Sequence, residues 1–321
     1  MRLLVTGGAG YIGGVVTLHL LRGGHQVTVL DDLSTGYADS VPDGATFVSG
    51  DLAETAGPVL ADGDPYNGVL HFAAKALVGE SVEHPERYWR TNVGGTLALL
   101  DAMRANAVPR LVFSSTAATY GEPDEVPIVE TAPTRPTNPY GASKLAVDMM
   151  ITSEAQAHGL GAVSLRYFNV AGASGGQGER HSPETHIVPI ALQVVAEQRK
   201  TFAIYGTDYP TPDGTCIRDY VHVDDLAEAH LLALAGAAAG EHRIYNLGNG
   251  AGFSVLDVVE AVRRVTGHPL PTEVGPRRPG DPAVLVASSA KIREDLGWAP
   301  RKPTVDAMVA DAWTFVQSRR P

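Results

Sequence analysis

Tyr140 and Lys144 stand four positions apart in the segment YGASK (residues 140–144), which has the pattern of a helix. Residues at i and i+4 lie on the same helix face, so the phenol and the ammonium group can lie side by side. A tyrosine with a pKa of about 10 is a poor base at neutral pH. We expect the nearby positive charge to lower that pKa. With Thr116 as a proton relay, these groups can remove an alcohol proton while a hydride leaves the same carbon.

A glycine-rich turn follows the first apolar segment and precedes a helical pattern. It reads TGGAGYIG (residues 6–13) and places Gly7, Gly10 and Gly13 at the spacing GxxGxxG. Glycines let the backbone approach a pyrophosphate, and the helix that follows presents free N–H groups and the positive end of its dipole. Because the turn lies between a strand and a helix at the start of a βαβ unit, it indicates a dinucleotide site.

The ends of the next predicted strands carry further candidate contacts. Asp31 stands 21 positions after Gly10, where an acidic residue accepts hydrogen bonds from the adenosine ribose. Its charge would repel a 2′-phosphate, so NAD is favoured over NADP. Asp51 and Leu52 follow the third strand and can meet the adenine, and residues 72–75 follow the fourth strand, because ligands bind at the carboxyl ends of such strands.

Short apolar segments alternate with amphipathic ones over the first 170 residues, which is typical of a parallel sheet covered by helices on both faces. We predict an α/β protein with a Rossmann-type doubly wound sheet in residues 1–169 and a smaller C-terminal α/β substrate domain in residues 170–321. A helix at 222–234 and a strand at 243–248 are expected to return to the first sheet. Val305–Ser318 is expected to be a surface helix. The other predicted strands are Leu3–Val5, Val27–Leu30, Thr46–Val48, Val69–Phe72, Leu111–Phe113 and Ala162–Leu165, and the other predicted helices are Tyr11–Leu21, Tyr88–Arg104 and Tyr140–Gln156.

Composition excludes several classes of protein. The chain has 321 residues, 44% of them hydrophobic, and 25 Lys and Arg against 36 Asp and Glu give a net charge of −11. It is therefore neither a disordered chain nor one with the basic footprint of a nucleic-acid binder. We expect no membrane span and, without a charged leader, a cytoplasmic protein. With one cysteine, Cys216, and no HExxH sequence, we expect neither a disulfide nor a metal ion.

Taken together, these residues resemble the extended short-chain dehydrogenase/reductase family, and within it the UDP-glucose 4-epimerases. The resemblance runs over nearly the whole chain. The segments that carry it are VTGGAGYIG (5–13), HFAAKALVGESV (71–82), NVGGT (92–96), FSSTAATYG (113–121), YGASK (140–144), LRYFNVAGA (165–173), RDYVHVDDLA (218–227), IYNLGNG (244–250) and RRPGD (277–281).

The resemblance implies a bound NAD, a UDP-sugar substrate and Tyr140 as the base, with Lys144 and Thr116 as its catalytic neighbours. Leu285 stands where side-chain size is thought to limit the choice of sugar. The implied cofactor contacts are Gly7, Gly10, Tyr11, Ile12, Gly13, Asp31, Asp51, Leu52, Phe72, Ala73, Ala74, Lys75, Asn92, Ser114, Tyr140, Lys144, Tyr167 and Phe168. The implied substrate contacts are Thr116, Tyr140, Asn169, Ala203, Tyr205, Arg218, Tyr220, Arg278, Asp281 and Leu285.

The resemblance also implies transient oxidation of the sugar at C4, rotation of the 4-ketose and re-reduction, within galactose metabolism, by a homodimer that pairs the helices near 88–104 and 140–156. Epimerisation of UDP-GlcNAc or UDP-glucuronate uses the same groups and stays open. A sugar 4,6-dehydratase needs carboxylates after Thr116, but Ala117 and Ala118 follow it. A non-catalytic NAD-binding protein generally loses the tyrosine or the lysine, and both are present here.

Overall fold

The computed structural model describes residues 1–278 and 281–319. The strands are β1 (Arg2–Thr6), β2 (Gln26–Asp31), β3 (Thr46–Ser49), β4 (Gly68–His71), β5 (Arg110–Thr116), β6 (Gly161–Tyr167), β7 (Asn169–Ala171), β8 (Ala173–Ser174), β9 (Gln177–Gly178), β10 (Phe202–Tyr205), β11 (Ile217–Arg218), β12 (Tyr220–His222), β13 (His242–Leu247), β14 (Phe253–Ser254), β15 (Thr272–Gly275) and β16 (Val284–Leu285). The helices are α1 (Tyr11–Arg22), α2 (Leu52–Ala61), α3 (Val78–Glu83), α4 (Pro85–Tyr88), α5 (Gly95–Ala105), α6 (Pro139–His158), α7 (Ile187–Val195), α8 (Val223–Gly236), α9 (Val255–Thr266), α10 (Ala290–Leu296) and α11 (Val305–Ser318).

Seven strands form the central sheet in the order β13-β6-β5-β4-β1-β2-β3. Every neighbouring pair in it is parallel. The chain runs outward from β1 in one direction to β3 and then returns to β4 on the other side. That reversal opens a crevice at the carboxyl ends of β1 and β4, where ligands bind in sheets of this kind. The predicted Rossmann-type sheet is confirmed.

Both faces of the sheet are buried, which explains why its strands are apolar throughout. Successive strand residues point to opposite faces. Leu3 and Val5 belong to one core cluster with α1 and α8, whereas Leu4 belongs to a second cluster with α5 and α6. All three residues are fully buried.

The second half of the chain returns to this sheet, as predicted. β13 pairs in parallel with β6, and Leu226 of α8 is fully buried in the same cluster as Leu3. Trp298, beyond α10, also packs there and donates from Nε1 to the Asp225 carbonyl at 2.8 Å. A third core cluster holds α7, α9 and α11. The division into two domains near residue 169 stays a prediction.

Two helix predictions need correction. The segment predicted as one helix, Tyr88–Arg104, is helical throughout but not α-helical throughout, because Trp89–Gly94 forms a π-helical stretch between α4 and α5. Helix α11 has its predicted bounds but is not simply a surface helix, because Met308 and Val309 are fully buried in the third cluster. Among the described residues, no helix is long and apolar enough to cross a membrane.

Candidate active site

A single cavity of about 1550 Å³ opens at the carboxyl ends of the sheet strands. It is larger than the roughly 300–1,000 Å³ of a typical small-molecule pocket. The cavity brings together most of the predicted site residues from both halves of the chain. Those that line it are Gly7, Gly10, Tyr11, Ile12, Gly13, Asp31, Asp51, Leu52, Phe72, Ala73, Ala74, Lys75, Ser114, Thr116, Tyr140, Lys144, Tyr167, Phe168, Asn169, Tyr205, Arg218, Arg278 and Leu285.

The glycine-rich turn lies against the backbone that leaves β4. Gly7 has a φ of +75°, and a Cβ built on it would lie 2.5 Å from the Ala73 nitrogen. A Cβ on Gly13 would lie 2.3 Å from the Gly7 carbonyl oxygen. The chain can therefore pass this point only with glycines.

Helix α1 begins directly after this turn. Its N-cap is Gly10, which has no side chain to accept from the first backbone N–H groups. Gly14 makes the first intrahelical bond, to the Gly10 carbonyl at 2.9 Å. The backbone N–H groups of the first three helix residues, Tyr11 to Gly13, have no i−4 partner in the helix and can bind an anion. This arrangement fits the pyrophosphate of a dinucleotide.

Asp31 holds the turn as well as lining the cavity. Its carboxylate accepts from the backbone N–H of Ala9 at 3.0 Å and of Leu33 at 2.8 Å. Burial raises the pKa of Asp31, and these two N–H groups oppose that shift. Asp51 likewise lines the cavity and also caps α2, because its carboxylate accepts from the Ala53 N–H at 2.8 Å.

Tyr140, Lys144 and Thr116 converge where β5 ends and α6 begins. The Lys144 ammonium group is buried and donates to the Ser114 carbonyl at 2.8 Å. Burial lowers the pKa of Lys144 to about 7, and the charge of Asp148 opposes that shift. Lys144 thus reaches the cavity from inside the protein.

The expected lowering of the Tyr140 pKa is not found in the protein alone. Burial raises the pKa of Tyr140, because it penalises the phenolate, and a hydrogen bond from Thr116 only partly offsets this. Lys144 directs its Nζ to Ser114 instead. Further positive charge at the cavity is needed to lower the pKa of the Tyr140 phenol toward neutral pH.

A buried ion pair lies beneath the lysine. Asp148, one helical turn beyond Lys144, accepts from Arg166 Nη2 at 2.8 Å and Nε at 3.0 Å. Both side chains are at most 4% exposed. Arg166 also donates from Nη1 to the Tyr120 hydroxyl at 3.1 Å. Sequence reasoning missed this pair, although the i+4 spacing of Asp148 from Lys144 was a usable signal.

Aromatic rings form the wall beside the strand ends. Tyr167 hydrogen-bonds through its hydroxyl to Ser114. His230, buried on α8, lies between the rings of Phe72 and Tyr167, with centroid distances of 4.9 and 6.0 Å. The predictions did not include His230, which comes from a helix more than 60 residues further along the chain than Tyr167.

The role of Asn92 as a cofactor contact stays a prediction. The residue is buried outside the cavity lining. Its side chain accepts from the Lys75 N–H at 2.8 Å and donates to the Lys75 carbonyl at 3.0 Å and to Ser143 Oγ at 2.9 Å. Asn92 therefore positions the loop that carries Lys75, whereas Lys75 itself lines the cavity.

The substrate end of the cavity carries two arginines. Arg278 stacks over the Tyr205 ring with its guanidinium carbon 4.2 Å from the ring centroid. Arg218 pairs with Asp281. Asn169 donates to the Asp219 carbonyl at 2.9 Å. Guanidinium groups bind phosphate oxygens well, so this end suits an anionic substrate.

Three predicted substrate contacts are not among the residues that line the cavity and stay predictions. Tyr220 is 2% exposed and packs against Phe253 in the third core cluster. Ala203 is exposed on β10, on the same strand face as Tyr205, but is not among the lining residues. Asp281 pairs with Arg218 rather than lining the cavity. Of the predicted segment 277–281, Pro279 and Gly280 lie outside the described residues.

Residues from the loop after β9 also line the cavity and were not predicted. They are Glu179, His181, Glu184 and His186. The cluster of charged and imidazole side chains in GERHSPETH (residues 178–186) was the available signal.

Comparison with known proteins agrees with this geometry. Residues 3–248 match the model of the NAD dependent epimerase/dehydratase family. The chain belongs to this family.

Relatives of this epimerase-family protein match over its full length. A protein of Streptomyces lividans named UDP-glucose 4-epimerase is 61% identical, over 99% of this chain and 96% of the relative. A UDP-glucose 4-epimerase of Brucella ovis solved in complex with NAD is 43% identical, covers 98% of this chain and 97% of its own, and superposes with a TM-score of 0.94. The Bifidobacterium longum enzyme, solved with NAD+ and UDP, is 36% identical over 99% of both chains with a TM-score of 0.93.

The close approach at Gly7 predicts a loss of dinucleotide binding in Gly7→Ala. A side chain there combines a strained φ, costing about 1–3 kcal/mol, with a clash against the Ala73 backbone. We expect purified Gly7→Ala to contain much less nicotinamide nucleotide and to melt at a lower temperature than the wild type. Gly57→Ala on α2 is the matched control, because its Cβ would meet nothing within 4 Å and alanine stabilises a helix by roughly 0.5–1 kcal/mol relative to glycine. Equal nucleotide content in the two variants would contradict this view of the turn.

The buried ammonium predicts a pH-dependent gain of stability in Lys144→Met. Because the pKa of Lys144 is lowered to about 7, the unfolded chain binds its proton more readily between that pH and the ordinary lysine pKa. The wild type therefore gains stability from this group as pH rises through that window, and the full penalty applies below it.

We expect Lys144→Met to melt about 5 °C above the wild type at pH 6, with the difference shrinking toward pH 10. The measurement is thermal unfolding of both proteins across this range. Lys200→Met removes an exposed lysine and controls for net charge. A difference that does not change with pH would show that Lys144 is not a penalised buried cation.

Proposed function

We propose that the protein is an NAD-dependent UDP-glucose 4-epimerase. The observation that carries this proposal is the convergence of Tyr140, Lys144 and Thr116 on the cavity that is also lined by the glycine turn and by Arg218 and Arg278. An oxidoreductase site and an anchor for a diphosphate thus share one enclosed volume. The name shared by full-length relatives supports the same activity.

Each step of the reaction has a group of this chain to perform it. When bound, NAD+ accepts the hydride that leaves C4 of the sugar, and the reduced cofactor returns it in the second step. Tyr140 removes the proton of the 4-hydroxyl group and later returns it to the C4 oxygen, when the hydride comes back to C4 from the opposite face of the ketose. Thr116 hydrogen-bonds Tyr140 and can relay that proton. Lys144 contributes its positive charge from its buried position at the carboxyl end of β5.

The sugar must turn between the two hydride transfers while the nucleotide stays in place. Arg218 and Arg278 are the cavity residues suited to hold the diphosphate. Leu285, on β16 beside β11, lines the same end and can limit the size of the sugar. The hexose is then the part of the substrate left free to rotate.

Tyr140→Phe should reduce the epimerisation of UDP-galactose by about 10²–10⁴-fold, because general base catalysis contributes this much. The assay follows UDP-galactose and UDP-glucose, with UDP-GlcNAc and UDP-glucuronate in parallel to identify the preferred sugar. Nucleotide content should stay normal. Tyr66→Phe is the matched control, since Tyr66 is a buried tyrosine that bonds Thr28 and does not line the cavity. Near-normal turnover by Tyr140→Phe would remove this residue as the base.

We further propose that the enzyme is a homodimer formed through α5 and α6. Trp89, before α5, and Leu97 on it are 44% and 49% exposed, and Met149 on α6 is 65% exposed. Exposed apolar residues gathered on neighbouring helices are typical of an interface. A cytoplasmic location and a part in galactose metabolism stay predictions.

The dimer proposal predicts that a charge at Leu97 or Met149 separates the subunits. Leu97→Glu and Met149→Glu should elute as monomers in light-scattering chromatography while the wild type elutes as a dimer. Val274→Glu, at a residue on β15 that is 66% exposed, should leave the dimer intact. A monomeric wild type would contradict the proposal.

A further inference from the structure

Four potential metal ligands meet in the loop that leads from β9 into α7. The segment reads E-x-H-x-x-E-x-H from Glu179 to His186. One ligand atom from each of Glu179, His181, Glu184 and His186 lies within 4.8 Å of every other. No metal ion was expected from the sequence, because HExxH is absent and there is one cysteine, but this spacing is a different pattern.

Hydrogen bonds satisfy only some of the atoms that converge here: Glu184 Oε1 accepts from the backbone N–H groups of Thr185 and His186, both at 2.7 Å. His181 Nδ1 lies 2.7 Å from Glu179 Oε1, yet this nitrogen is buried and has no partner in hydrogen-bond geometry. His186 Nδ1 lies 3.1 Å from Glu179 Oε1 and 3.0 Å from Glu184 Oε1. A ring nitrogen can donate only one proton, so it cannot serve both carboxylates well.

The two carboxylates are buried, and the side chains that face them within ion-pair distance are the imidazoles of His181 and His186. The side chains of Glu179 and Glu184 are 7% and 3% exposed. In the part of the chain that the structure describes, neither forms an ion pair with an arginine or a lysine. Buried charges of one sign need a cation or a proton beside them.

A second cluster of potential metal ligands in the protein is already neutralised by a lysine. His222, Asp224 and Asp311 also bring three potential ligands together. There the Lys302 ammonium group lies 2.8 Å from Asp224 and 2.6 Å from Asp311. A lysine thus already occupies the place of a cation in that cluster. Among the described residues, no lysine or arginine pairs with Glu179 or Glu184 in the same way.

We propose that Glu179, His181, Glu184 and His186 form a binding site for one divalent transition-metal ion of the Zn²⁺ type. Two imidazoles and two carboxylates are a donor set that suits tetrahedral Zn²⁺. A cation at the centre would satisfy the unpaired His181 nitrogen and both buried carboxylates at once. Competing protons on the two histidines are displaced when the metal binds.

The position of the site suggests what the ion does. The loop faces Gly10 and Tyr11 across the cavity, and the Tyr11 hydroxyl donates to the Gly172 carbonyl at 2.7 Å. Arg180, inside the same loop, pairs with Asp39 from the first half of the chain. A metal ion would fix the loop as a wall of the cavity, so it has a structural role separate from the proposed reaction.

The test measures metal binding directly on the purified protein with its nucleotide bound. After equilibrium dialysis against Zn²⁺ at pH 8, elemental analysis should find about one Zn²⁺ per wild-type chain. Co²⁺ in its place should give the visible absorption bands of a four-coordinate ion. Zn²⁺, but not Mg²⁺, should raise the melting temperature.

Variants locate the ion. His181→Gln combined with His186→Gln should bind no Zn²⁺ above background, and Glu179→Gln should weaken binding while keeping the shape of the side chain. His84→Gln is the matched control, because His84 is an exposed histidine outside the loop. The proposal is overturned if the wild type binds no Zn²⁺ or shows no Co²⁺ absorption bands, even if the variants fold poorly. Undiminished Zn²⁺ in the double variant also overturns it.

Discussion

The active site depends on keeping one positive charge inside the protein. Lys144 is 3% exposed, and water cannot solvate its ammonium group there. The Ser114 carbonyl accepts from it, the Phe113 ring lies 4.7 Å from its Nζ, and Asp148 supplies a negative charge one turn away. Removing any of these contacts would leave a buried charge less compensated. The end of β5 and the start of α6 are therefore fixed relative to each other by electrostatics as well as by packing.

A second constraint is that both halves of the chain must enclose the same cavity. The glycine turn and Asp31 come from the first βαβ unit, whereas Arg218, Arg278 and Leu285 come from the second half. The contacts between the halves are specific: Tyr11 bonds to the Gly172 carbonyl, and Arg180 pairs with Asp39. Enclosure limits water in the cavity and strengthens each electrostatic interaction inside it.

The pKa of Tyr140 illustrates how local chemistry and burial compete. Position i+4 predicted that Lys144 would make the phenol more acidic. The structure directs the lysine Nζ to a backbone carbonyl, and burial raises the phenol pKa instead. Only a positive charge facing the phenol from the cavity can reverse this, so the base becomes effective together with an oxidised cofactor rather than before it binds.

Local patterns in the sequence were sufficient for the sheet strands, the glycine turn, the YGASK helix and the placement of Asp31. Each depends on neighbours within about 20 residues, where strand and helix periodicity and turn chemistry act. They did not indicate the contacts of Asn92 with Lys75 and of Tyr220 with Phe253, nor the positions of His230 and the residue 179–186 cluster. Whether a polar side chain faces a cavity or a neighbouring loop depends on which distant segments pack against it. The sequence by itself therefore determined the sheet and its phosphate-binding turn, and only the tertiary structure decided which side chains face the cavity, because burial and charge compensation come from residues far apart along the chain.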